Sequence, residues 1–348
     1  MQKINYVLAI ETSCDDTSVA IVKEGGWVEA LTSASQDTSH APFGGIVPEI
    51  ACRNHSINLL PMIEKVLVET KMTWDKIDGI AVTNRPGLIG SLIVGLVTAK
   101  TLSQVQQKPY IAINHLEGHL LAPFLKDEKF SPPNDFKYPY VALAISGGHT
   151  TIYDIQDFGK YKILGSTLDD AAGEAFDKFG KMLGLGFPGG VKVDKYAQRG
   201  DPSKYQFPRS MIKEENLMMS FSGLKSSAQR LVDNLSDEQI REQLFDLCAS
   251  FQEAICDVLI AKLDRAVQHT SYSRAIITGG VSANSRLRVR AEEWAKKRGI
   301  TLVIPPIRYC TDNAAMIGYA GLIRLSRGER SSIELGPSPS PYESDFVE

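Results

Sequence analysis

The segment "INYVLAIETSCDDTSVAIV" (residues 4–22) decides the fold of this chain. Its first half is a continuous apolar run, typical of a buried strand, and "TSVAIV" predicts a second strand after a polar turn. The next apolar segment, "WVEALTSAS" (residues 27–35), is a candidate third strand. The amino-terminal region therefore predicts a strand–turn–strand–strand unit, with the polar turn "ETSCDDTS" between its first two strands.

The same order begins again near residue 138. There "YVALAIS" predicts a strand, "GGHT" a tight turn, and "TIYDIQD" and "YKILGSTLD" two further strands. Helical patterns and single strands follow in both halves. An internal repeat of this size predicts an α/β fold of two duplicated domains, with a ligand cleft faced by Gly-rich turns at the strand ends.

Apolar residues at three-to-four spacing predict helices after each set of strands. We expect Pro61 to kink or divide the first of them. The predicted helices cover residues 47–70, 90–106, 171–184, 238–269, 279–299 and 313–328, and the further predicted strands cover 77–84, 110–114, 274–279 and 301–306.

The segment "SPPNDFKYP" (residues 131–139) is the predicted linker between the two domains. We expect the first domain to contain residues 1–130 with a C-terminal helix at about 325–348, and the second to contain residues 131–324. Residues 199–216, "RGDPSKYQFPRSMIKEEN", are expected to form a surface excursion.

The composition narrows the class of protein. Of 348 residues 43% are hydrophobic and 23% charged, which predicts a globular protein. The net charge of −3 is not that of a protein that binds nucleic acid unaided. No signal peptide and no run of roughly 18 or more apolar residues is found. Five cysteines without a CxxC pair favour reduced thiols, and we expect a cytoplasmic protein without membrane association.

Several turns are rich in glycine or small residues. "SGGHT" (146–150) and "TGGVSAN" (278–284) follow predicted strands, and "GFPGG" (186–190) is a third such turn. Backbone N–H groups in turns of this kind can point at one anion, although a single Gly-Gly turn more often serves chain reversal. No P-loop pattern is present, and no GxGxxG pattern opens a helix after the first strand. The turns therefore predict a nucleotide cleft of neither of these types.

The predicted helix after residue 170 carries polar residues at three-to-four spacing, namely Asp170, Glu174, Asp177 and Lys181. The stripe is either a solvated face or a face toward the cleft. In the second case, a carboxylate such as Asp177 would accept hydrogen bonds from ribose hydroxyls.

The stretch "NHLEGHL" (114–120) places His115 and His119 at i and i+4, on one face of a helix that follows a strand end. Such a pair is either two polar residues of an amphipathic helix or two ligands of one metal. Glu117 is about 200° from the first histidine around the helix, so the metalloprotease geometry fails. Asp312 in "CTDNAAMIG" offers a third ligand, and a two-histidine, one-carboxylate set suits iron(II) or zinc.

A predicted helix near residue 290 is strongly basic. This cluster is either a solvated surface or part of an RNA-binding face. Its members are Arg286, Arg288, Arg290, Lys296, Lys297 and Arg298.

Taken together, the motifs resemble those of the bacterial-type tRNA threonylcarbamoyladenosine synthases, tRNA adenosine threonylcarbamoyltransferases once labelled O-sialoglycoprotein endopeptidases. The resemblance extends over almost the whole chain, from Tyr6 to Gly321. The segments that carry it are "ETSCDDTS", "NHLEGH", "SGGHT", "GEAFDK", "FPGG", "SFSGLK", "GGVSANSRLR" and "TDNAAMIG".

This resemblance implies a fold of two duplicated actin/Hsp70/sugar-kinase-like (ribonuclease-H-like) domains with a central nucleotide and metal cleft. It also implies one divalent metal per subunit, held by His115, His119 and Asp312, with iron(II) as the usual ion and zinc or magnesium as alternatives. The catalytic acidic turn residue corresponds to Asp15. The implied substrate and nucleotide contacts are Ala144, Ile145, Ser146, Gly147, Gly148, Asp177, Gly190, Asp194 and Asn284.

Two departures from the family pattern affect these assignments. The family more often has C-D-E-T where this chain has "CDDT", which leaves the role of Asp16 open. "GGVKVDK" replaces the commoner G-G-P run, but Gly190 and Asp194 keep their places.

The activity implied is transfer of the threonylcarbamoyl group from threonylcarbamoyl adenylate to the exocyclic amine of the adenosine beside the anticodon, in tRNAs that read ANN codons, with release of AMP. The implied partners are tRNA, a metal-less paralogue subunit and a small P-loop ATPase subunit. An actin-like-fold small-molecule kinase and a non-enzymatic ATP-binding scaffold remain as alternatives, neither of which needs the His-His-Asp set.

Overall fold

A computed structural model describes residues 3–340 of the chain. These residues divide into two compact units, one formed by the described residues of Met1–Asn134 and Arg308–Asp345, the other by Asp135–Ile307. Among residues 3–340, no helix has the length and apolar character needed to cross a membrane.

The first unit is built on a five-stranded mixed sheet of order β3-β2-β1-β4-β5. The strands β1, β2 and β3 form an antiparallel meander, whereas β4 and β5 run parallel to β1. The strands are β1 (Tyr6–Glu11), β2 (Thr17–Lys23), β3 (Trp27–Ala34), β4 (Gly79–Arg85) and β5 (Tyr110–Asn114), and the helices are α1 (Asp37–His40), α2 (Pro48–Thr70), α3 (Ile89–Val105) and α4 (His115–Leu121).

The second unit repeats this topology, with the sheet order β10-β9-β6-β7-β8. Here β6, β7 and β8 form the meander and β9 and β10 run parallel to β6. The strands are β6 (Tyr140–Ile145), β7 (Thr150–Asp157), β8 (Lys160–Ser166), β9 (Arg274–Thr278) and β10 (Thr301–Val303), and the helices are α5 (Ala172–Met182), α6 (Gly189–Ala197), α7 (Ser222–Asp233), α8 (Asp237–Thr270) and α9 (Ser285–Arg298). The predicted internal repeat and the two-domain α/β class are therefore confirmed.

Two last helices follow, α10 (Ile307–Cys310) and α11 (Ala314–Ser326). Helix α11 packs on the sheet of the first unit through its small residues. A side chain on Gly318 would lie 2.6 Å from Val22 Cγ2, and one on Gly321 would lie 2.3 Å from Ala81 Cβ. The helix backbone therefore lies directly against the sheet.

This packing explains why β1 is apolar up to its last residue, Glu11. Leu8 and Ile10 belong to a buried cluster with residues of α2 and α3, whereas Ala9, which points the other way, lies beneath Gly318 of α11. A strand with helices on both faces has no solvated side, so its sequence reads as a continuous apolar run.

Two expectations differ from the structure. Helix α2 continues through Pro61 as one element. Pro61 has no N–H group, so the carbonyl of Ile57 loses its hydrogen bond within the helix. Both residues are exposed, so water can donate to that carbonyl instead. The helix predicted at about 325–348 is not found, since residues 327–340 contain no helix and residues 341–348 lie outside the described part. Helices α6 and α7 were not predicted.

The predicted surface excursion at residues 199–216 is only partly exposed. It contains no helix or strand, but Phe207 is buried and stacks edge-on against Phe179 and Phe251. Lys262 of α8 donates to the carbonyls of Glu214 (3.2 Å) and Asn216 (2.6 Å). The excursion is therefore anchored to the core of the second unit.

We expect Gly321→Ala to lower the free energy of unfolding by about 1–3 kcal/mol, because the added methyl group has no space against Ala81. Gly90→Ala is the matched control: this helical glycine has Cys52 Cβ at 3.4 Å, an ordinary contact, so stability should stay the same or rise by up to about 1 kcal/mol. Urea denaturation of both variants measures the difference, and equal effects would contradict the packing argument.

Candidate metal centre and glycine-rich turns

Helix α4 begins at the last residue of β5 without a connecting loop. The side chain of Asn114 accepts a hydrogen bond from Leu116 N (2.8 Å), so this residue ends the strand and caps the helix. His115 and His119 are then the first and fifth helical residues and share one face. Both imidazoles are buried.

The two imidazoles meet the carboxylate of Asp312. Its Oδ1 lies 3.3 Å from His115 Nε2 and 3.1 Å from His119 Nε2, and the two rings are perpendicular with centroids 4.7 Å apart. One ligand atom from each residue lies within 4.8 Å of the others. Asn313 fixes this loop, since its side chain caps α11 by accepting from Met316 N (3.0 Å) and donates to Thr311 O.

The donor set fits a divalent cation. Two imidazole nitrogens and one carboxylate oxygen converge on one point and would leave further coordination positions open. The Nδ1 atom of His119 is buried and has no hydrogen-bond partner among residues 3–340, so nothing there competes for the orientation of this ring.

The charge states of His115, His119 and Asp312 depend on one another. Although burial opposes its ionisation, the charges of the two histidines hold the pKa of Asp312 well below its usual range. Burial also opposes the charged form of His115, yet Asp312 and Glu11 raise its pKa well above the ordinary value. Burial lowers the pKa of His119. Asp312 and Glu11 therefore both favour the protonated form of His115.

Glu117 takes no part in this centre. Its carboxylate forms a two-point ion pair with Arg324 of α11, with both N···O distances at 2.9 Å. This agrees with the expectation that Glu117 points away from the histidines, and it excludes the protease geometry.

The acidic turn after β1 lies within the electrostatic range of Asp312. Burial, with a contribution from the Asp312 charge, raises the pKa of Asp15. Burial together with the charges of Asp15, Asp312 and Asp37 raises the pKa of Asp16 to about 7. Both turn carboxyls therefore hold protons more readily than exposed aspartates do.

In the second unit, the "SGGHT" turn closes at the end of β6, which includes Ala144 and Ile145. Ser146 N donates to His149 O (2.8 Å), and His149 N donates to Ser146 Oγ (3.1 Å). No atom lies within 4 Å of the position of a side chain on Gly147 or Gly148, so the tip of the turn is open.

Two other glycines bring backbone close to this turn. A side chain on Gly173 at the start of α5 would lie 2.5 Å from Ser146 O, and one on Gly279 would lie 2.4 Å from Ile145 O. The open turn, the first turn of α5 and the start of the β9–α9 connection therefore converge at the end of β6. Backbone segments that meet in this way can offer N–H groups to an anion.

The remaining predicted nucleotide contacts organise helix ends in the same unit. Asp177 Oδ1 accepts from Gly190 N (2.8 Å) at the start of α6. Asp194 accepts from Ser285 N (3.2 Å) and Ser285 Oγ (2.8 Å), and Asn284 caps α9 at Leu287 N (3.0 Å) while donating to Gln252. These residues tie α5, α6, α8 and α9 together.

Other members of the polar stripe are used in ion pairs. Asp170 lies before α5 and pairs with Lys178 (3.3 Å) and Lys225 (2.5 Å), and Glu174 pairs with Lys178 (2.5 Å). Lys181 is exposed. The stripe is therefore not one continuous helix face.

Three of the six cations in the basic cluster on α9 form ion pairs with α8. Arg286 and Arg290 both bind Glu253, and Arg290 also binds Asp257 (3.0 Å). Arg298 binds Asp264 (2.6 Å), and Arg288 donates to Pro305 O (2.8 Å). Lys296 and Lys297 make no such contact within residues 3–340. The arginines therefore serve packing, and only part of the cluster's charge is available to RNA.

Two residues near the metal centre were missed from the sequence. Glu11 at the end of β1 is buried and lies 3.0 Å from His115 Nδ1, and Thr83 of β4 donates to Glu11 Oε2 (2.5 Å). The available signal was an acidic residue at the end of an otherwise apolar strand, a position where a carboxylate needs a partner.

We expect Asp16→Asn to stabilise the metal-free protein at about pH 8 and to have little effect near pH 4. A carboxyl whose pKa rises from 3.8 to about 7 on folding is protonated in the folded chain and ionised in the unfolded chain between these values. Wild-type stability therefore falls as pH rises through this window, and the variant does not share that loss. Thermal unfolding with a chelator present, from about pH 4 to pH 8, measures the stability of the wild type and the variant. A stability difference between them that does not grow with pH would contradict this prediction.

Comparisons with known proteins show which family the chain resembles. The family model described as tRNA N6-adenosine threonylcarbamoyltransferase matches residues 28–319. A protein of this description from Bdellovibrio bacteriovorus is 66% identical over 343 residues, covering 99% of each chain. Another from Anaeromyxobacter dehalogenans is 45% identical over 337 residues, covering 96% of this chain and 98% of the relative.

Solved structures of low identity share the fold alone. HypF from T. kodakarensis superposes with a TM-score of 0.63 at 11% identity, over 94% of this chain and 48% of that one. Component A of (R)-2-hydroxyglutaryl-CoA dehydratase from Acidaminococcus fermentans superposes with a TM-score of 0.50 at 15% identity, over 92% of this chain and 98% of that one. These likenesses confirm the actin-like class of the two units.

The family match favours a transferase over the kinase and scaffold alternatives. With a match over most of its length and a relative at 66% identity over 99% of the chain, this chain belongs to the tRNA N6-adenosine threonylcarbamoyltransferase family of acyltransferases.

Proposed function

We propose that this chain transfers a threonylcarbamoyl group from threonylcarbamoyl adenylate to the exocyclic amine of the adenosine beside the anticodon, in tRNAs that read ANN codons, with release of AMP. The family membership supports the reaction class. The observation that carries the proposal in the structure is the convergence of His115, His119 and Asp312 on one point.

These three residues would hold one divalent cation, for which we propose iron(II). When bound, the cation supplies Lewis acidity and an anchor for oxygen atoms of the donor. The chain itself contributes the buried, preorganised ligand set, in which Asn114 and Asn313 fix the two segments that carry the ligands.

The transfer forms a bond from the adenosine nitrogen to the carbamoyl carbon and breaks the bond from that carbon to the phosphate oxygen. The amine loses one proton, for which we propose Asp15 as acceptor, because burial raises the pKa of its carboxyl and so favours proton uptake. The backbone N–H groups of Gly147 and Gly148, at the open tip of the turn, would hold the adenylate phosphate, which leaves as AMP. We assign Ala144, Ile145, Asp177, Gly190, Asp194 and Asn284 to the same substrate-binding region.

An exposed apolar stripe on α3 supports the proposed paralogue partner. It consists of Ile89, Ile93, Val97 and Val105, which are 41–69% exposed. Helix α2 packs beside α3 and adds exposed Ile57 and Leu60. A metal-less paralogue of the same fold would carry an equivalent helix pair, so the two pairs could pack as four helices.

We also propose a small P-loop ATPase as a further partner, and tRNA as the substrate. Because three of the six cations of the α9 cluster are paired with α8, we expect the partners to supply part of the RNA-binding surface. The reaction on tRNA makes the cytoplasm the expected location.

We expect depletion of this protein in its host to abolish threonylcarbamoyladenosine in digested tRNA, measured by mass spectrometry. Wild type should restore the nucleoside and His115→Ala should restore less than roughly a tenth of it, because a metal contributes several kcal/mol to such a reaction. Asp15→Asn should also lower the nucleoside but leave bound metal intact.

His269→Ala is the matched control for this rescue, since His269 is exposed at the end of α8 in the second unit. It should restore the nucleoside fully. Persistence of the nucleoside after depletion would refute the proposed activity. Full rescue by His115→Ala would show that the activity does not require the metal centre.

We expect Val97→Glu to weaken binding of the paralogue at least about tenfold by isothermal titration calorimetry, because a charge replaces an apolar contact at the middle of the stripe. Val289→Glu, a change at an exposed valine of α9, is the matched control and should bind normally. Equal affinities for the wild type and both variants would place the paralogue elsewhere.

A further inference from the structure

We infer that Glu11 is the positioning residue that fixes the tautomer and orientation of His115 for metal binding. This inference rests on the metal site of the proposed function. It starts from the end of β1, where a fully buried carboxylate replaces the apolar residues that precede it.

The carboxylate of Glu11 contacts two hydrogen-bond donors and the imidazole of His115. Oε1 accepts from Ser13 N (2.5 Å). Oε2 accepts from Thr83 Oγ1 (2.5 Å) and lies 3.0 Å from His115 Nδ1. An ionised carboxylate only accepts hydrogen bonds, so the proton between Oε2 and the imidazole belongs to Nδ1.

This arrangement leaves the other ring nitrogen for the cation. With the proton on Nδ1, the neutral imidazole directs its lone pair from Nε2, the atom that faces Asp312 Oδ1 at 3.3 Å. Carboxylates in this position orient a ligating imidazole and raise its basicity. The hydroxyl of Ser13 also lies 3.2 Å from Nδ1, but a hydroxyl both donates and accepts and therefore does not select a tautomer.

Glutamine at position 11 would reverse this selection. The backbone N–H of Ser13 always donates, so the amide oxygen of the glutamine would face it in place of Oε1. The NH₂ group would then stand where Oε2 stands and would face Nδ1. Nδ1 would have to accept, the proton would move to Nε2, and the lone pair needed for the cation would be lost.

The test is the affinity of the full-length protein for Co²⁺, measured by competition with a chelating dye. We expect Glu11→Gln to weaken binding about 10–100-fold, the usual effect of losing such a partner. In the zinc-loaded wild type, nitrogen NMR of labelled imidazoles should find His115 protonated at Nδ1.

Glu117→Gln is the matched control. Glu117 is also buried and lies on α4 between the two histidines, but its carboxylate pairs with Arg324 of α11, an ion pair that the variant loses. Its Co²⁺ affinity should stay within about threefold of wild type. Similar losses for both variants would indicate general destabilisation and overturn the inference.

A double-mutant cycle separates the positioning role from an independent one. Because Glu11 acts through His115, adding Glu11→Gln to His115→Ala should weaken Co²⁺ binding no further. Additive losses would overturn the inference. Equal Co²⁺ affinities for the wild type and Glu11→Gln would refute the positioning role but leave the metal site supported. Absence of Co²⁺ binding by the wild type would refute the metal site itself.

Discussion

The buried carboxylate of Glu11 joins the elements on which the candidate metal centre depends. It contacts the turn after β1 through Ser13, strand β4 through Thr83 and helix α4 through His115. A buried carboxylate without such partners would be costly, so the three contacts are needed for the charge to remain in the core. Although burial opposes ionisation, His115 holds the pKa of Glu11 below its ordinary value.

The rest of the first unit places the other ligands around this point. Strand β5 ends at Asn114 and continues directly as α4, which presents both histidines on one face. Helix α11 lies against the sheet because Gly318 and Gly321 have no side chain, and the loop before it carries Asp312. The close approach of α11 and the position of the third ligand are thus linked through one packed interface.

The second unit has the same sheet topology but a different use of its strand ends. The end of β6 carries an open Gly-Gly turn where the first unit has the acidic turn after β1. Aspartates that could be read as a solvated stripe instead accept hydrogen bonds at helix starts or pair with lysines. One duplicated framework therefore supports an acidic turn near a cation site in one unit and a glycine turn suited to an anion in the other.

The sequence by itself determined the duplicated α/β architecture, because strands and helices that pack in a core each require a characteristic spacing of apolar residues along the chain. It also determined the spacing of His115 and His119, since an i, i+4 pair needs only a helix to share a face. The sequence overstated the effect of Pro61, because this residue is exposed and water can replace the hydrogen bond that its ring removes. It also missed helices α6 and α7. Only the tertiary structure decided that Asp312, 193 residues from His119, meets both imidazoles. It likewise decided that Glu11 supports His115 and that the α9 arginines bind α8, because contacts between distant segments depend on packing, for which local sequence carries no signal.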